Sequence, residues 1–343
     1  MTLIYMILML GLIVAIHEFG HYLFAKKAGI YVYEFSIGMG PRIFKFKRKN
    51  DETEYSIRLL PIGGYVQMAG EELEVDEDIP VEKRMQSKTW MQRFLTTIAG
   101  ILFNFILAIV LLFTVGLVIG SPDNKAYIRS VTEGINSDLI SEGDRVLEAN
   151  GKKVIFTDVF ALDVQINSGK PLRLKLKEKS GNIKEVTLNP IETEENGVKT
   201  YKYGIEIVEH EQKGVLAAIK YAFVKFVSLI YQMIKVIGYM VTGKLGLSSL
   251  SGPVGIFNVV GESAKAGFIN VVYLTAFISL NVGFMNILPI PALDGGRILF
   301  LIIEKIKGSE VNPKIENAIH MVGMVLLLTL MVVITINDIL KLL

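Results

Sequence analysis

The first apolar run, from about Thr2 to Ala25, carries three ionisable side chains in five residues, His17-Glu18-Phe19-Gly20-His21. As a helix the run is long enough to cross a bilayer core. Each ionisable group near the bilayer centre costs roughly 2.5 to 3.5 kcal/mol on insertion scales, so the trio needs something to offset it. A metal ion does this. On a helix, positions i and i+4 lie one above the other, so His17 and His21 present two imidazoles to one point and Glu18 sits about 100° round from them. The pattern H-E-x-x-H uses this arrangement to bind zinc through both histidines, with the glutamate placed to take a proton from the attacking water. A soluble core helix with an incidental match is the rival reading, and the length of the apolar run disfavours it.

Composition agrees with a membrane setting. Hydrophobic residues make up 51% of 343 and mean hydropathy is +0.45, yet 20% of the residues are charged. That combination describes a polytopic membrane protein with a sizeable polar insert. There is no cysteine, so zinc ligands must be histidine or carboxylate, and the only histidines are His17, His21, His210 and His320. With no basic n-region and no small-residue cleavage site, the first run is expected to be a retained span instead of a signal peptide. A net charge of +2 is uninformative about partners, and no nucleic-acid partner is expected.

A hydrolytic zinc site needs a third protein ligand and an open position for water. Asp294 is the outstanding candidate, in Asn286-Ile287-Leu288-Pro289-Ile290-Pro291-Ala292-Leu293-Asp294-Gly295-Gly296 at the end of a late apolar run from about Phe268. Its two prolines and two glycines would end a helix and free backbone to bend toward a ligand. Together, HEFGH in the first span and NILPIPALDGG near the end of a late one closely resemble the site-2 protease family of intramembrane zinc metalloproteases, in its bacterial RseP type, over nearly the whole length. The resemblance implies zinc held by His17, His21 and Asp294, with Glu18 as general base. It further implies substrate contact by Asn286, with a weaker claim for Asn281.

Along the chain, Lys26 and Lys27 after the first span mark the cytoplasmic side. Tyr31–Ile37, Arg42–Phe46, Glu54–Leu60 and Tyr65–Met68 have strand character, separated by the turn signals Gly38-Met39-Gly40-Pro41 and Pro61-Ile62-Gly63-Gly64. In the family this region resembles a β-hairpin that dips into the membrane and offers an edge to extended substrate, which makes Gly38, Gly40, Gly63 and Gly64 candidate substrate-binding positions. An ordinary cytosolic β-loop is the alternative. The six acids between Glu71 and Asp78 read as a solvated loop. A second span covers about Phe94 to Ile119, and its Asn104 is expected to serve packing more than the site.

From about Asp123 to Val208 the chain turns polar, with five candidate strands and a helix near Asp158–Asn167. Glu142 to Gly151 resembles the strand-and-turn signature of bacterial PDZ domains, either a peptide groove or a steric filter. Gly214 to Val241 is long and apolar enough to span, but Lys220, Lys225, Ser228, Gln232 and Lys235 fall with three tyrosines in one arc of about 140°, which describes a helix lying in the interface. Parity agrees, since a crossing there would put Asp294 and the histidines at opposite faces. Ser251 to Ile256 resembles a further family signature and is assigned only a turn. His320 and His210 are expected to be a packed or interfacial histidine and a linker histidine.

The expected fold is therefore a polytopic α-helical membrane protein with about four transmembrane helices, a membrane-associated β-hairpin region and an inserted α+β PDZ-like domain. We divide it into 1–28 (first span), 29–92 (cytoplasmic, membrane-dipping β region), 93–120 (second span), 121–210 (PDZ-like, extracytoplasmic), 211–265 (interfacial helix and linker), 266–296 (third span), 297–317 (cytoplasmic loop) and 318–343 (fourth span). It belongs in a bacterial cytoplasmic membrane with the active site toward the cytoplasm. The lipid bilayer is one partner. By resemblance the substrates are single-span proteins already shortened by another protease, such as anti-sigma factors, and remnant signal peptides. Two rivals are a transporter that merely carries the metal and an inactive relative that binds membrane helices. Transport needs no Glu beside the His pair and no inverted repeat is visible; the complete HExxH and LDG set disfavours the second.

Overall fold

The computed structural model describes residues 1–71, 78–195 and 198–341. The chain forms two compact units: residues 1–111 with 248–343, and residues 112–247.

In the first unit, α1 (Thr2–Lys27) carries apolar residues on every side apart from His17, Glu18, His21 and its terminal lysines, as expected of a helix surrounded by lipid and other helices. It leads into two long strands, β1 (Val32–Lys47) and β2 (Glu54–Met68). Each bends at glycines with positive φ: Gly38 (+90°) and Gly40 (+82°) in β1, Gly63 (+88°) in β2. These break each strand in two, so the pair makes four segments, close to the expected four strands. The first half of β1 lies against the end of β2, with Val32 opposite Met68 and Ile37 opposite Gly64; it also lies beside the start of β2, with Ile37 opposite Ile57. Tyr65–Met68 is therefore an edge. The sheet seats on the last turns of α1 through Ala25, Ile30, Val32, Val66 and Met68.

A buried carboxylate fixes the sheet. Glu34 accepts from Arg58 Nη2 (2.9 and 3.1 Å), Tyr65 Oη (2.8 Å), Arg42 Nη2 (3.0 Å) and Ser56 Oγ. Burial pushes this carboxyl up, and the bonds from Ser56, Tyr65 and Arg58 more than reverse it, leaving it below the ordinary range.

Next comes α2 (Trp90–Ile119), of which residues 90–111 belong to this unit, and then, after α3 (Thr157–Ile166) and α4 (Val215–Val241) of the other unit, α5 (Pro253–Ala266), α6 (Phe268–Ile287), α7 (Asp294–Lys307) and α8 (Pro313–Leu340). Met9 and Ile13 of α1 pack with Val260 of α5 and Leu274 of α6. Two expectations are corrected. Ser251–Ile256 opens α5 instead of forming only a turn: Pro253 sits at the first helical position, and Asp338 Oδ2 of α8 accepts from Gly252 N and Gly255 N (2.8 Å each), a cap supplied from a distant helix. The loop expected at 297–317 is mostly α7, which Arg93–Glu304 and Trp90 Nε1 to Leu301 O (2.6 Å) tie to the start of α2.

The second unit holds β3 (Ser121–Pro122), β4 (Tyr127–Val131), β5 (Arg145–Ala149), β6 (Lys152–Lys153), α3 (Thr157–Ile166), β7 (Leu172–Lys177), β8 (Ile183–Leu188), β9 (Ile191–Glu195), β10 (Val198–Lys202), β11 (Ile205–Val208), β12 (Glu211–Gln212) and α4 (Val215–Val241). Its main sheet runs β11-β4-β5-β7-β8, with β6 on β5, over a core that includes Ile128, Val146, Phe160, Leu174, Leu176 and Leu188. The β9–β10 hairpin escaped the sequence reading.

Part of the polar arc of α4 faces α3, while Lys220 and Tyr231 are exposed. Lys225 Nζ and Ser228 Oγ bond Asp158 of α3 (2.7 and 3.2 Å); Tyr239 Oη bonds Asp163 (2.6 Å), and Lys235 pairs with it too. Among the described residues five helices are long and apolar enough to cross a membrane: α1, α2, α4, α6 and most of α8. The chain is a multi-pass membrane protein.

Candidate metal centre

The centre begins with a close helix crossing. A Cβ on Gly20 would lie 2.5 Å from Ala99 O, and one on Gly100 would lie 2.3 Å from His21 Nε2. Only paired glycines let α1 and α2 approach this closely, and the approach buries His17 and His21 against α2.

The helix α2 also orients both rings. His21 Nδ1 lies 2.8 Å from Thr96 O. A carbonyl only accepts, so Nδ1 carries the proton and Nε2 presents a lone pair. His17 Nδ1 lies 3.2 Å from Asn104 Nδ2, and Asn104 Oδ1 is fully buried without a partner. With the amide's O and N exchanged, Oδ1 accepts from Nδ1–H, and His17 Nε2 likewise presents a lone pair. The packing role expected for Asn104 is thus corrected; its side chain lies on a histidine of the centre.

Asp294 arrives from the opposite side. Leu288 is extended, as a residue before proline must be, and ends α6. The chain turns through Pro289 to Leu293 with Ala292 at φ +76°, and α7 starts at Asp294, where the positive end of the helix dipole suits a carboxylate. Gly295 and Gly296 are required by contact: their Cβ atoms would lie 2.1 Å from Leu288 O and 2.6 Å from Ile290 O.

These elements bring three donors together. Asp294 Oδ2 lies 3.1 Å from His17 Nε2 and 3.4 Å from His21 Nε2, and the two nitrogens are 3.2 Å apart. Asp294 Oδ2 is buried and makes no well-directed hydrogen bond despite these distances. Three lone-pair donors facing one another repel unless a cation lies between them. Donors at about 2.0 to 2.1 Å from a tetrahedral zinc stand about 3.3 to 3.4 Å apart, so the set fits that ion.

Glu18 shares with the three donors a cavity of about 230 Å³, also lined by Tyr65, Val66 and Met68 of the β2 edge and by Arg297. A Cβ on Gly64 would touch Glu18 Cγ at 3.4 Å, so this edge runs beside the glutamate. Gly38, Gly40 and Gly63 occupy the strand bends and do not line the cavity; nor does Asn286, half-buried in the last turn of α6. Asn281 bonds Phe277 O within its own helix (2.9 Å). His210 stacks on Tyr127. Glu71 is not solvated as expected: it pairs with Arg297 at the cavity wall, while 72–77 lie outside the described residues. Sequence reasoning missed Thr96, Gly100 and Arg297, whose relevance comes only from contacts between distant segments.

A bundle of apolar helices that buries two imidazoles, a carboxylate and a neighbouring glutamate in one polar cavity defines a membrane-embedded metallohydrolase of the HExxH kind. The model of Peptidase family M50 matches residues 5–330. A Bacillus subtilis protein named regulator of sigma-W protease RasP is 32% identical over 422 aligned positions, covering 99% of each chain. The zinc metalloprotease RasP of Geobacillus kaustophilus is 32% identical over 99% of this chain and 98% of its own. A candidate zinc metalloprotease of Fusobacterium nucleatum is 38% identical over 100% and 99%. The chain belongs to Peptidase family M50, the site-2 protease family.

Proposed function

We propose that this chain is an intramembrane zinc endopeptidase that hydrolyses peptide bonds within transmembrane segments of other membrane proteins, with His17, His21 and Asp294 as metal ligands and Glu18 as general base. The observation that carries the reading is the triangle of donors at 3.1 to 3.4 Å, with Glu18 and an open strand edge on the same cavity. A zinc ion held by those donors supplies Lewis acidity, lowering the pKa of a water toward about 7. Glu18 accepts the proton of the attacking water and returns it to the leaving nitrogen. Thr96 O and Asn104 keep the imidazoles in the ligating tautomer. The edge Gly64–Met68 holds the substrate backbone extended, which a helical substrate needs because its own hydrogen bonds hide the scissile carbonyl. Asn286 is proposed to contact substrate on family resemblance alone.

The β-hairpin dips into the membrane, a reading supported by the exposed Ile37, Met39, Ile43, Phe44, Ile57 and Leu59 along its bent strands. We read four spans, α1, α2, α6 and α8, with α4 on the membrane surface; its ion pairs to Asp158 and Asp163 support this, since a spanning helix would bury those lysines in lipid. Residues 121–210 form a PDZ-like extracytoplasmic domain. A groove of about 890 Å³ between α3 and β11, with Phe160, Val164, Ile205 and Ile207 among its lining, supports peptide binding by strand addition. The site faces the cytoplasm. Substrates are single-span proteins, anti-sigma factors by analogy with the relative named for sigma-W, or remnant signal peptides.

The test is cleavage of a model single-span substrate in detergent by the zinc-loaded protein and by Glu18→Gln. The variant is expected to keep its zinc and lose about 10²- to 10⁴-fold in rate. Undiminished cleavage would remove Glu18 from the chemistry.

A further inference from the structure

We infer that His320, on α8, is a positioning residue for the metal centre: its Nδ1 accepts the backbone N–H of Ala292 and so holds the left-handed turn that aims Asp294 at the two histidines. The inference rests on the reading of Asp294 as a ligand.

The turn needs support from outside. Among the described residues three non-glycines have positive φ, Asn124, Asn150 and Ala292. Asparagine tolerates that region because its short polar side chain bonds locally; alanine has no such help and pays in steric conflict. Such a residue persists only where its surroundings over-determine it. Here two contacts come from α8. His320 Nδ1 lies 2.8 Å from Ala292 N, and Gly323, one turn on, lets Pro291 come so close that a Cβ there would lie 2.4 Å from Pro291 Cβ.

The proton inventory excludes a direct role in ligation. Because Nδ1 accepts from a backbone N–H, the neutral ring carries its hydrogen on Nε2. That atom is buried without a partner, beside a separate cavity of about 130 Å³ lined by Arg297, Glu304 and Glu316. Neither nitrogen has a lone pair to offer a metal. What the ring supplies is one acceptor, two residues ahead of Asp294. If that acceptor is lost, Ala292 can relax toward negative φ, rotating the peptides that lead into α7. A metal shell tolerates shifts of only about 0.2 Å, so such a rotation weakens binding.

The experiment measures zinc affinity against a competing chelator, alongside unfolding of the zinc-free protein, in detergent. His320→Phe keeps a ring packed near Phe300 but removes the acceptor, and zinc affinity is expected to fall about 10- to 100-fold, as when a ligand's supporting group is removed. Adding Ala292→Gly should restore affinity, because glycine adopts positive φ without cost. His320→Asn, whose Oδ1 sits at the same distance along the side chain as Nδ1, should stay near the parent. Parent-like affinity in His320→Phe, or a loss that Ala292→Gly leaves in place, overturns the inference. If His320→Phe does not fold, His320→Asn decides against His320→Ala: retention by Asn alone supports the acceptor role, and equal loss refutes it. Asp294→Ala separates the two levels. Full zinc affinity in that variant sinks the ligand assignment itself, whereas loss there with none in His320→Phe sinks only the role of His320.

Discussion

Gly100→Ala adds one methyl group at the point where α2 crosses the histidine pair. The added Cβ would lie 2.3 Å from His21 Nε2 and 2.8 Å from both His17 Cε1 and His21 Cε1. Ordinary contact needs about 3.5 Å, so the ring atoms must retreat by roughly 1 Å. In the zinc-free protein the imidazoles can swing away from one another, since their mutual repulsion favours it. In the loaded protein they cannot, because ligand distances are held to about 0.2 Å. The overpacking cost, about 1 to 3 kcal/mol, therefore falls on the loaded state. At 1.4 kcal/mol per factor of ten this predicts a loss of about 5- to 150-fold in zinc affinity with little change in zinc-free stability. Chelator competition and thermal unfolding of the same preparations supply both numbers. Gly238→Ala is the control: nothing lies within 4 Å of its added Cβ, so it should leave zinc binding unchanged and stabilise α4 by up to about 1 kcal/mol. Parent-like zinc affinity in Gly100→Ala would refute the placement of the imidazoles against α2.

Two further outcomes are expected. Single prolines at Tyr65, Val66, Gln67 and Met68 remove one backbone donor each; positions whose N–H faces substrate should lose cleavage while zinc and the sheet stay, whereas the alternate positions, whose N–H bonds β1, should lose stability. Parent rates in all folded variants would show that this edge does not hold substrate. The natural absence of cysteine makes topology directly measurable with membrane-impermeant thiol reagents. Single cysteines at Lys152 and at Lys244, flanking α4 in sequence, should both react from the same side of sealed vesicles, and reaction from opposite sides would make α4 a span.

The helices and the HExxH register were legible because both are local: period 3.6 and an i, i+4 pair need no knowledge of the partner segment. So were the ends of α6 and the turn at Asp294, written in Pro289, Pro291 and two glycines. What escaped was what faces those features. The polar arc of α4 is plain in the sequence, but periodicity cannot say that Asp158 and Asp163 of α3 lie against it instead of water. The acidic run hid Glu71, one member of which is neutralised by an arginine 226 positions away. Asn104 and His320 read as packing residues because their partners, His17 and Ala292, are 87 and 28 positions distant. α5 was missed because Gly252, Pro253 and Gly255 are turn signals, and only the carboxylate of Asp338 makes them a helix start.

The proposed metal shell draws its ligands from the first and seventh helices. X-ray absorption at the zinc edge of the purified protein measures it directly. The prediction is one zinc per chain with two imidazole nitrogens at about 2.0 to 2.1 Å and carboxylate and water oxygens at about 2.0 to 2.2 Å, the carboxylate contribution disappearing in Asp294→Ala. A protein without zinc, or a shell that Asp294→Ala leaves unchanged, would contradict it.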